Sequence, residues 1–298
     1  MFGELALPRF CWEIDMKIWM DYRLVDEADA KVSVFDHGLL YGDGVFEGIR
    51  VYGGKIFELD AHLKRLYAGA RVIRLDIGMS IEELADATKK TVEANGIDDG
   101  YIRLIVTRGI GDLGLNPLIC KNQQIIIIAA SIQLYPVELY EKGLKVVSVS
   151  TIRCHPLALA PQVKSLNYLN NIMAKVESID HGADEAIMYN HQGYVAEASA
   201  DNIFIVKDGV VFTPGTEAGS LGGITRGVVI RLAGEMGYEV IERNLTRVDL
   251  YTSDEFFMTG TAAEVIAIVD IDGRMIGDGK PGKITESIRK KFFEYARS

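Results

Sequence analysis

The sequence predicts an α+β fold in two domains. Strand-like and helix-like segments alternate without the regular right-handed β-α-β rhythm of a doubly wound sheet. The 298 residues suit two domains or one large one. The pattern also breaks at Leu134-Tyr135-Pro136, the best position for a linker. The expected organisation is an N-terminal extension over 1–15, a small N-terminal α/β domain over 16–130, a linker over 131–139 and a larger domain over 140–298. Residues 1–15 show no clear period, whereas a clean strand pattern follows Met16.

Taken in order, 17–24 and 31–35 read as strands around an acidic turn. Gly38, Gly42, Gly44 and Gly48 then mark a loop that turns sharply or approaches something closely. Residues 45–51 return to strand, with Gly53-Gly54 as a hairpin turn. Asp60 reads as the N-cap of a helix to about Arg74, with Leu63, Leu66, Ala70 and Ile73 on one face. Ser80 and Glu83 form a capping box for a second helix ending near Asn95-Gly96. Strands are expected at 101–107 and 123–130, with a Gly-rich loop over 108–117 between them.

The second half reads as a strand at 145–150, a helix from Asn167, and a strand at 185–190. A pair at 194–197 and 202–206 follows, then Asp208-Gly209 turning into 210–213. A Gly-rich loop opens a helix at Gly223. Strands at 238–244 and 255–258, a hairpin over 265–275 and a helix over 282–295 end the chain.

Composition narrows the function. The net charge of 32 − 42 = −10 argues against general nucleic-acid binding, which wants a basic face. Cys11, Cys120 and Cys154 are too scattered for a disulfide framework or a zinc site, and the five histidines lack metal-ligand spacing, so no metal is expected. The longest strongly apolar run, near 125–130, is far too short to span a bilayer, and no signal peptide is visible. A reducing cytoplasm is the simplest setting.

The chemistry centres on Pro161-Gln162-Val163-Lys164-Ser165-Leu166-Asn167-Tyr168-Leu169. Pro161 disfavours helix before it, and from Asn167 the apolar residues Tyr168, Leu169, Ile172, Met173 and Val176 recur at helical spacing. Lys164 stands where extended chain gives way to helix, between apolar Val163 and Leu166. Apolar surroundings disfavour an ammonium and turn the amine into a nucleophile of the kind that forms Schiff bases. Bringing a lysine from about 10.4 to near 7 takes roughly 4–5 kcal/mol. Standing alone, Lys164 also reads as one more surface lysine.

Other segments gain meaning beside it. Ser220-Leu221-Gly222-Gly223-Ile224-Thr225-Arg226 places glycines and a hydroxyl at a helix start, where free N–H groups and the dipole favour an anion; a plain loop-to-helix turn is the alternative. Met258-Thr259-Gly260-Thr261-Ala262-Ala263-Glu264 follows a strand with small residues that let backbone amides reach a ligand, or simply make a buried turn. Arg65, on an otherwise apolar helix face, needs an anion, either a phosphate or a nearby Asp or Glu. Glu197 ends a strand before small residues; it could hold a pyridine nitrogen protonated or be a solvated strand end.

As an ordered set, these segments resemble the fold-type IV pyridoxal-phosphate enzymes, the class IV aminotransferases, whose fold is that of the D-amino acid aminotransferases. The branched-chain amino acid aminotransferases are the nearest match. The motifs carrying the resemblance run from Tyr41-Gly42-Asp43-Gly44-Val45-Phe46-Glu47-Gly48-Ile49-Arg50 and Tyr101-Ile102-Arg103 through the Lys164, Glu197 and 221–226 segments to 260–264. Tyr168 follows Lys164 by four residues where some relatives have five, and Gly222 stands where proline often occurs.

The resemblance implies a transaminase moving the amino group between leucine, isoleucine or valine and 2-oxoglutarate, with pyridoxal 5′-phosphate bound between the domains. Lys164 would carry the cofactor as a Schiff base and shuttle the proton. Glu197 would pair with the pyridine nitrogen, and Tyr168, one turn into the helix, with the phenolic oxygen. Arg65, Gly223, Ile224, Thr225 and Thr261 would hold the phosphate, and Leu221 would pack on the ring. Thr261 and Ala262, helped by Tyr41, would take the substrate carboxylate. Phe46, Tyr135 and parts of 110–115 would form the aliphatic pocket, and Arg103 would receive a distal carboxylate. A homodimer or an assembly of dimers is implied, with Tyr41 and 110–115 completing the partner's site. D-amino acid and (R)-amine transaminases share the cofactor set, and aminodeoxychorismate lyase shares the Lys164 and Glu197 motifs while catalysing β-elimination.

Overall fold

The computed structural model describes residues 16–131 and 135–298. The proposed extension over 1–15 and linker residues 132–134 lie outside the described residues.

Two sheets divide the chain. The first has the order β2-β1-β6-β5-β3-β4. It is built from β1 (Lys17–Met20), β2 (Arg23–Asp26), α1 (His37–Tyr41), β3 (Gly44–Tyr52), β4 (Lys55–Ile56), α2 (Leu59–Val72), α3 (Ile81–Ala94), β5 (Gly100–Thr107) and β6 (Ile125–Ala130). Alternation of apolar residues on the strands buries Val45, Ile49, Ile102, Leu104 and Ile127 against Leu63 and Leu66 of α2 and Leu84 of α3. The Ser80–Glu83 capping box that opens α3 is present as expected.

The sequence expectation differs at four places here. The strand over 17–24 is broken by Asp21 and Tyr22, both at positive φ, so a two-residue turn makes a hairpin of it. Residues 31–35 form no strand; Val34 and Phe35 are exposed, and β2 already ends the sheet. The N-cap of α2 is Glu58, in the left-handed region, and Asp60 sits inside the first turn, where its charge still favours the dipole. The Gly-rich loop also hides α1, capped by Asp36 accepting from Gly38 N–H and closed by Gly42 at φ 67°.

The second sheet has the order β12-β11-β10-β13-β14-β7-β8-β9, with β15 on β14. Its elements are α4 (Val137–Lys142), β7 (Leu144–Ser148), α5 (Leu169–Asp180), β8 (Glu185–Tyr189), β9 (Val195–Ala198), β10 (Asn202–Lys207), β11 (Val210–Thr213), α6 (Ile224–Glu235), β12 (Val240–Glu242), α7 (Arg247–Tyr251), β13 (Glu255–Gly260), β14 (Glu264–Ile271), β15 (Arg274–Met275) and α8 (Lys283–Ala296). Val229 and Leu232 of α6 and Ile288 and Phe292 of α8 pack on Phe204, Phe257 and Val265. The expected strands at 194–197 and 202–206 exist but do not pair. β9 joins β8, and β10 runs between β11 and β13. Ala198 N–H donates to Asp201 C=O at 2.8 Å, and that tight turn diverts the chain. α4 and α7 escape sequence reading because each is too short to show a period. Among the described residues no helix is long and apolar enough to cross a membrane.

The apolar residues of α5 face outward. Leu169, Ile172, Met173, Val176 and Ile179 are exposed, while Asn171, Ala174 and Ser178 form the buried face. The period read from the sequence is real, but it does not mark the core of this chain.

Candidate active site

The two sheets meet at Lys164. β4 covers only the far end of β3, leaving residues 44–46 with an open edge. The extended segment after Pro161 fills it: Phe46 N–H donates to Lys164 C=O at 3.0 Å and Leu166 N–H to Gly44 C=O at 3.0 Å. Asn167 Nδ2 adds a bond to Gly42 C=O at 2.8 Å. Lys164 is thus fixed by backbone pairing on a strand of the other sheet. Its Nζ donates to Tyr168 Oη at 2.8 Å and lies 4.6 Å from the Phe46 ring centre and 5.1 Å from that of Tyr168. Tyr168 is the N-cap of α5 rather than a residue one turn into it, because the helix begins only at Leu169. That places its hydroxyl back toward Lys164.

Lys164 opens into a cavity of about 310 Å³. One end is an anion cradle. Gly223 caps α6 and no side chain fills the capping position, so the first N–H groups of the helix are unclaimed by a side-chain cap. Gly223, Ile224 and Thr225 line the cavity there, with Arg65 and Leu221. Arg65 Nη1 donates to Gly222 C=O at 2.8 Å, tying α2 to this loop. The anionic partner of Arg65 is Glu47, held through Nε at 2.8 Å and Nη2 at 2.7 Å. His62 Nδ1 lies 2.7 Å from the same carboxylate. Burial raises the Glu47 carboxyl, but the bonds from Arg65 and His62 outweigh it and bring the group down to about 2. Burial pushes His62 down, so it donates as a neutral ring and Arg65 supplies the charge.

Glu197 does not itself line the cavity but stands directly behind Leu221, whose N–H donates to its Oε2 at 2.8 Å. Its Oε1 lies 2.8 Å from Arg153 Nε, a close ion pair whose N–H is not aimed along the contact. Burial pushes the Glu197 carboxyl up, against the pull of Arg153 and the Leu221 N–H.

The opposite wall is the turn joining β13 to β14, where Thr261 and Ala262 face the cavity. The turn ends on Glu264, a non-glycine residue at φ 61°. Tyr52 donates to its carboxylate at 2.8 Å and Arg50 lies 3.6 Å away, so buried partners from β3 hold the unfavourable conformation. Side-chain alternation brings Phe46 and Gly48 from β3 and Tyr101 and Arg103 from β5 to the same cavity. The Arg103 guanidinium lies 4.8 Å from the Phe46 ring centre and 5.4 Å from that of Tyr101, and no carboxylate pairs with it among the described residues.

Tyr135, expected in the aliphatic pocket, and Tyr41, expected beside the substrate carboxylate or at the partner's site, do not line this cavity. Tyr135 packs in the core of the second sheet, with its hydroxyl 3.4 Å from Glu185 Oε2 and its ring against Tyr140, so packing holds it away from the cavity. Tyr41 is half-exposed and donates to Leu113 C=O at 2.6 Å, joining α1 to the loop over 110–115. Sequence reading missed Glu47, Gly48, Tyr101, Asp201, Asn202 and Thr259. For Gly48 and Tyr101 a signal existed, since each stands two residues from an assigned neighbour on the same strand face. For Glu47, Asp201, Asn202 and Thr259 none did, because their partners come from distant elements.

A lysine amine, a helix N-terminus free of any side-chain cap and a buried carboxylate are thus gathered around one cavity, the kind of site an enzyme presents. The chain belongs to the class IV aminotransferases, whose family pattern matches residues 44–271. A Methanocaldococcus jannaschii protein provisionally named a branched-chain-amino-acid aminotransferase is 50% identical over 93% of this chain and 95% of its own. The Escherichia coli K12 branched-chain-amino-acid aminotransferase is 38% identical over 93% and 91%. The T.th. branched-chain amino acid aminotransferase, solved with pyridoxamine 5′-phosphate, superposes with a TM-score of 0.92 at 40% identity over 96% of each chain.

Proposed function

We propose that the enzyme transfers the amino group between L-branched-chain amino acids and 2-oxoglutarate with pyridoxal 5′-phosphate. The observation that carries this reading is Arg103, a guanidinium without an acidic partner among the described residues, lying on aromatic rings in the cavity that holds Lys164. One site must accept an aliphatic side chain and an acidic one in turn. Phe46 and Tyr101 offer burial of about 1.5–3 kcal/mol to leucine, and Arg103 offers a charge-assisted pair to a distal carboxylate.

The residues fit the cofactor. The α6 N-terminus with Thr225, Arg65 and Thr261 suits its phosphate; Glu197, behind Leu221, suits its ring nitrogen; Tyr168 suits its phenolic oxygen. The buried Thr259 hydroxyl, which lines the cavity without a partner among the described residues, also suits a polar guest. The cofactor, when bound, supplies an aldehyde carbon that accepts the amino group and a ring that withdraws electrons from the substrate's Cα. Among the described residues Lys164 is the only lysine lining the cavity, and its Nζ takes the Cα proton and returns it. Tyr168 holds that amine in place. The turn at Thr261 and Ala262 binds the α-carboxylate, and Arg65 keeps its guanidinium in position through Glu47.

The two sheets correspond in this reading to a small and a large domain joined through 131–139. The outward apolar face of α5 supports a homodimer, since Leu169, Ile172, Met173, Val176 and Ile179 leave one contiguous helix face uncovered. Tyr41 and the loop over 110–115 would then reach the neighbouring site.

The test is a visible spectrum of the purified protein before and after L-leucine and, separately, D-alanine. The reading expects a cofactor band that L-leucine bleaches and D-alanine leaves. A colourless protein, or bleaching by D-alanine alone, overturns it.

A further inference from the structure

Asp201 stands in the turn between β9 and β10 and lines the Lys164 cavity, 5% exposed. Its carboxylate accepts no hydrogen bond among the described residues. It is pressed against the backbone of Gly260, where a methyl group would come 1.7 Å from Asp201 Oδ1. Charged and titratable groups face it from each neighbouring element: Lys164 ahead of α5, Lys175 on α5, Glu185 on β8, Glu197 on β9, and Tyr101 on β5, with Tyr135 ahead of α4 and Tyr140 on α4. Lys175 is already taken up by Glu185 at 3.1 Å. A buried acid with two acidic neighbours and no donor of its own is a poor place for a negative charge.

We propose that Asp201 sets the balance between acidic and aliphatic substrates in this cavity, admitting the acidic one when protonated and opposing it when ionised. The inference rests on the dual-substrate reading above. A second carboxylate brought into a cavity of about 310 Å³ cannot escape the field of Asp201, whereas an aliphatic side chain carries no charge for that field to act on. Burial first, then Glu185, raises the Asp201 carboxyl to about 7, so the change falls near neutrality. The sign follows: as pH rises through that region, Asp201 ionises and binding of the acidic partner weakens relative to the aliphatic one.

The test compares two unreactive acids, glutarate and 4-methylvalerate, by calorimetric titration of the holoenzyme between pH 6.5 and 8.5. Titration of any group that acts only on the shared carboxylate cancels in the ratio of their dissociation constants, and the Asp201→Asn slope separates Asp201 from Lys164 and the cofactor. The expected result is a preference for glutarate that falls roughly tenfold across this range in the native protein. In Asp201→Asn, which keeps the shape and cannot ionise, the ratio stays flat at the low-pH value. A flat ratio in the native protein, or an unchanged slope in Asp201→Asn, overturns the proposal. The dual-substrate reading fails on a different observation: neither acid binds at any pH, or Arg103→Ala leaves glutarate binding untouched.

Discussion

Arg65 grips Glu47 with two nitrogens, Nε at 2.8 Å from Oε1 and Nη2 at 2.7 Å from Oε2, in a place where the carboxylate is fully buried. The geometry is bidentate and charge-assisted, so it fixes the guanidinium plane as well as its charge. Arg65 therefore faces the α6 end of the cavity already positioned.

The pair makes a prediction about acid stability. The Glu47 carboxyl is ordinary in the unfolded chain and near 2 in the folded one, so its stabilisation is complete above about 4.5 and is lost as pH falls toward 2. The depression is worth about 3 kcal/mol. Glu47→Gln leaves the partly buried Arg65 without its anion and should cost about 3 kcal/mol at neutral pH. Denaturant unfolding of both proteins across pH 2–6 checks this. The gap between them should narrow below pH 4.5, and a constant gap would remove the charge from the explanation.

Lys164→Ala should abolish turnover and leave the fold intact. The lysine side chain contributes one hydrogen bond, to Tyr168, while its backbone joins the segment to β3. Far-ultraviolet circular dichroism with a coupled assay separates the two effects; full activity in the variant would overturn the assignment of the amine.

Arg103→Ala should separate the two substrates. Losing a charge-assisted partner costs about 1.5–3 kcal/mol, or roughly 10- to 150-fold in kcat/KM for 2-oxoglutarate. Leucine should change by only a few-fold, through lost packing on Phe46. Equal losses for the two would make Arg103 a structural residue.

Gly48→Ala should damage the substrate cavity without unfolding the protein. An added methyl would come 1.8 Å from the Tyr101 hydroxyl, so the ring must move out of its place beside Arg103. The expected readout is a raised KM for both amino acid and oxo acid, with Tm lowered by a few degrees. Unchanged KM values would show that Tyr101 moves freely.

The uncovered face of α5 predicts the consequence of charging it. Leu169→Asp combined with Ile172→Asp should give monomer mass in light scattering and lose most activity. A fully active monomer would separate α5 from both assembly and catalysis.

The sequence by itself determined the family and the candidate residues: Lys164 between apolar neighbours, the Gly-Ile-Thr run that opens α6 and the small-residue turn at Thr261-Ala262 were legible because each is local, a matter of a few adjacent residues and their backbone. Most element types were legible for the same reason, since capping boxes and hydrophobic periods act within one or two turns. Only the tertiary structure decided which partners these residues meet. Nothing in the spacing of Glu47, His62 and Arg65 says that they share one carboxylate, or that Lys164 closes the edge of β3. The same holds for Tyr135, drawn into a core by Tyr140 and Glu185, and for β10, which the tight turn at Asp201 carries away from β9 to lie between β11 and β13. The physical reason is common to all of them. Contacts between elements far apart in the chain are set by the packing of whole sheets, and burial then fixes charges and orientations that no local pattern encodes.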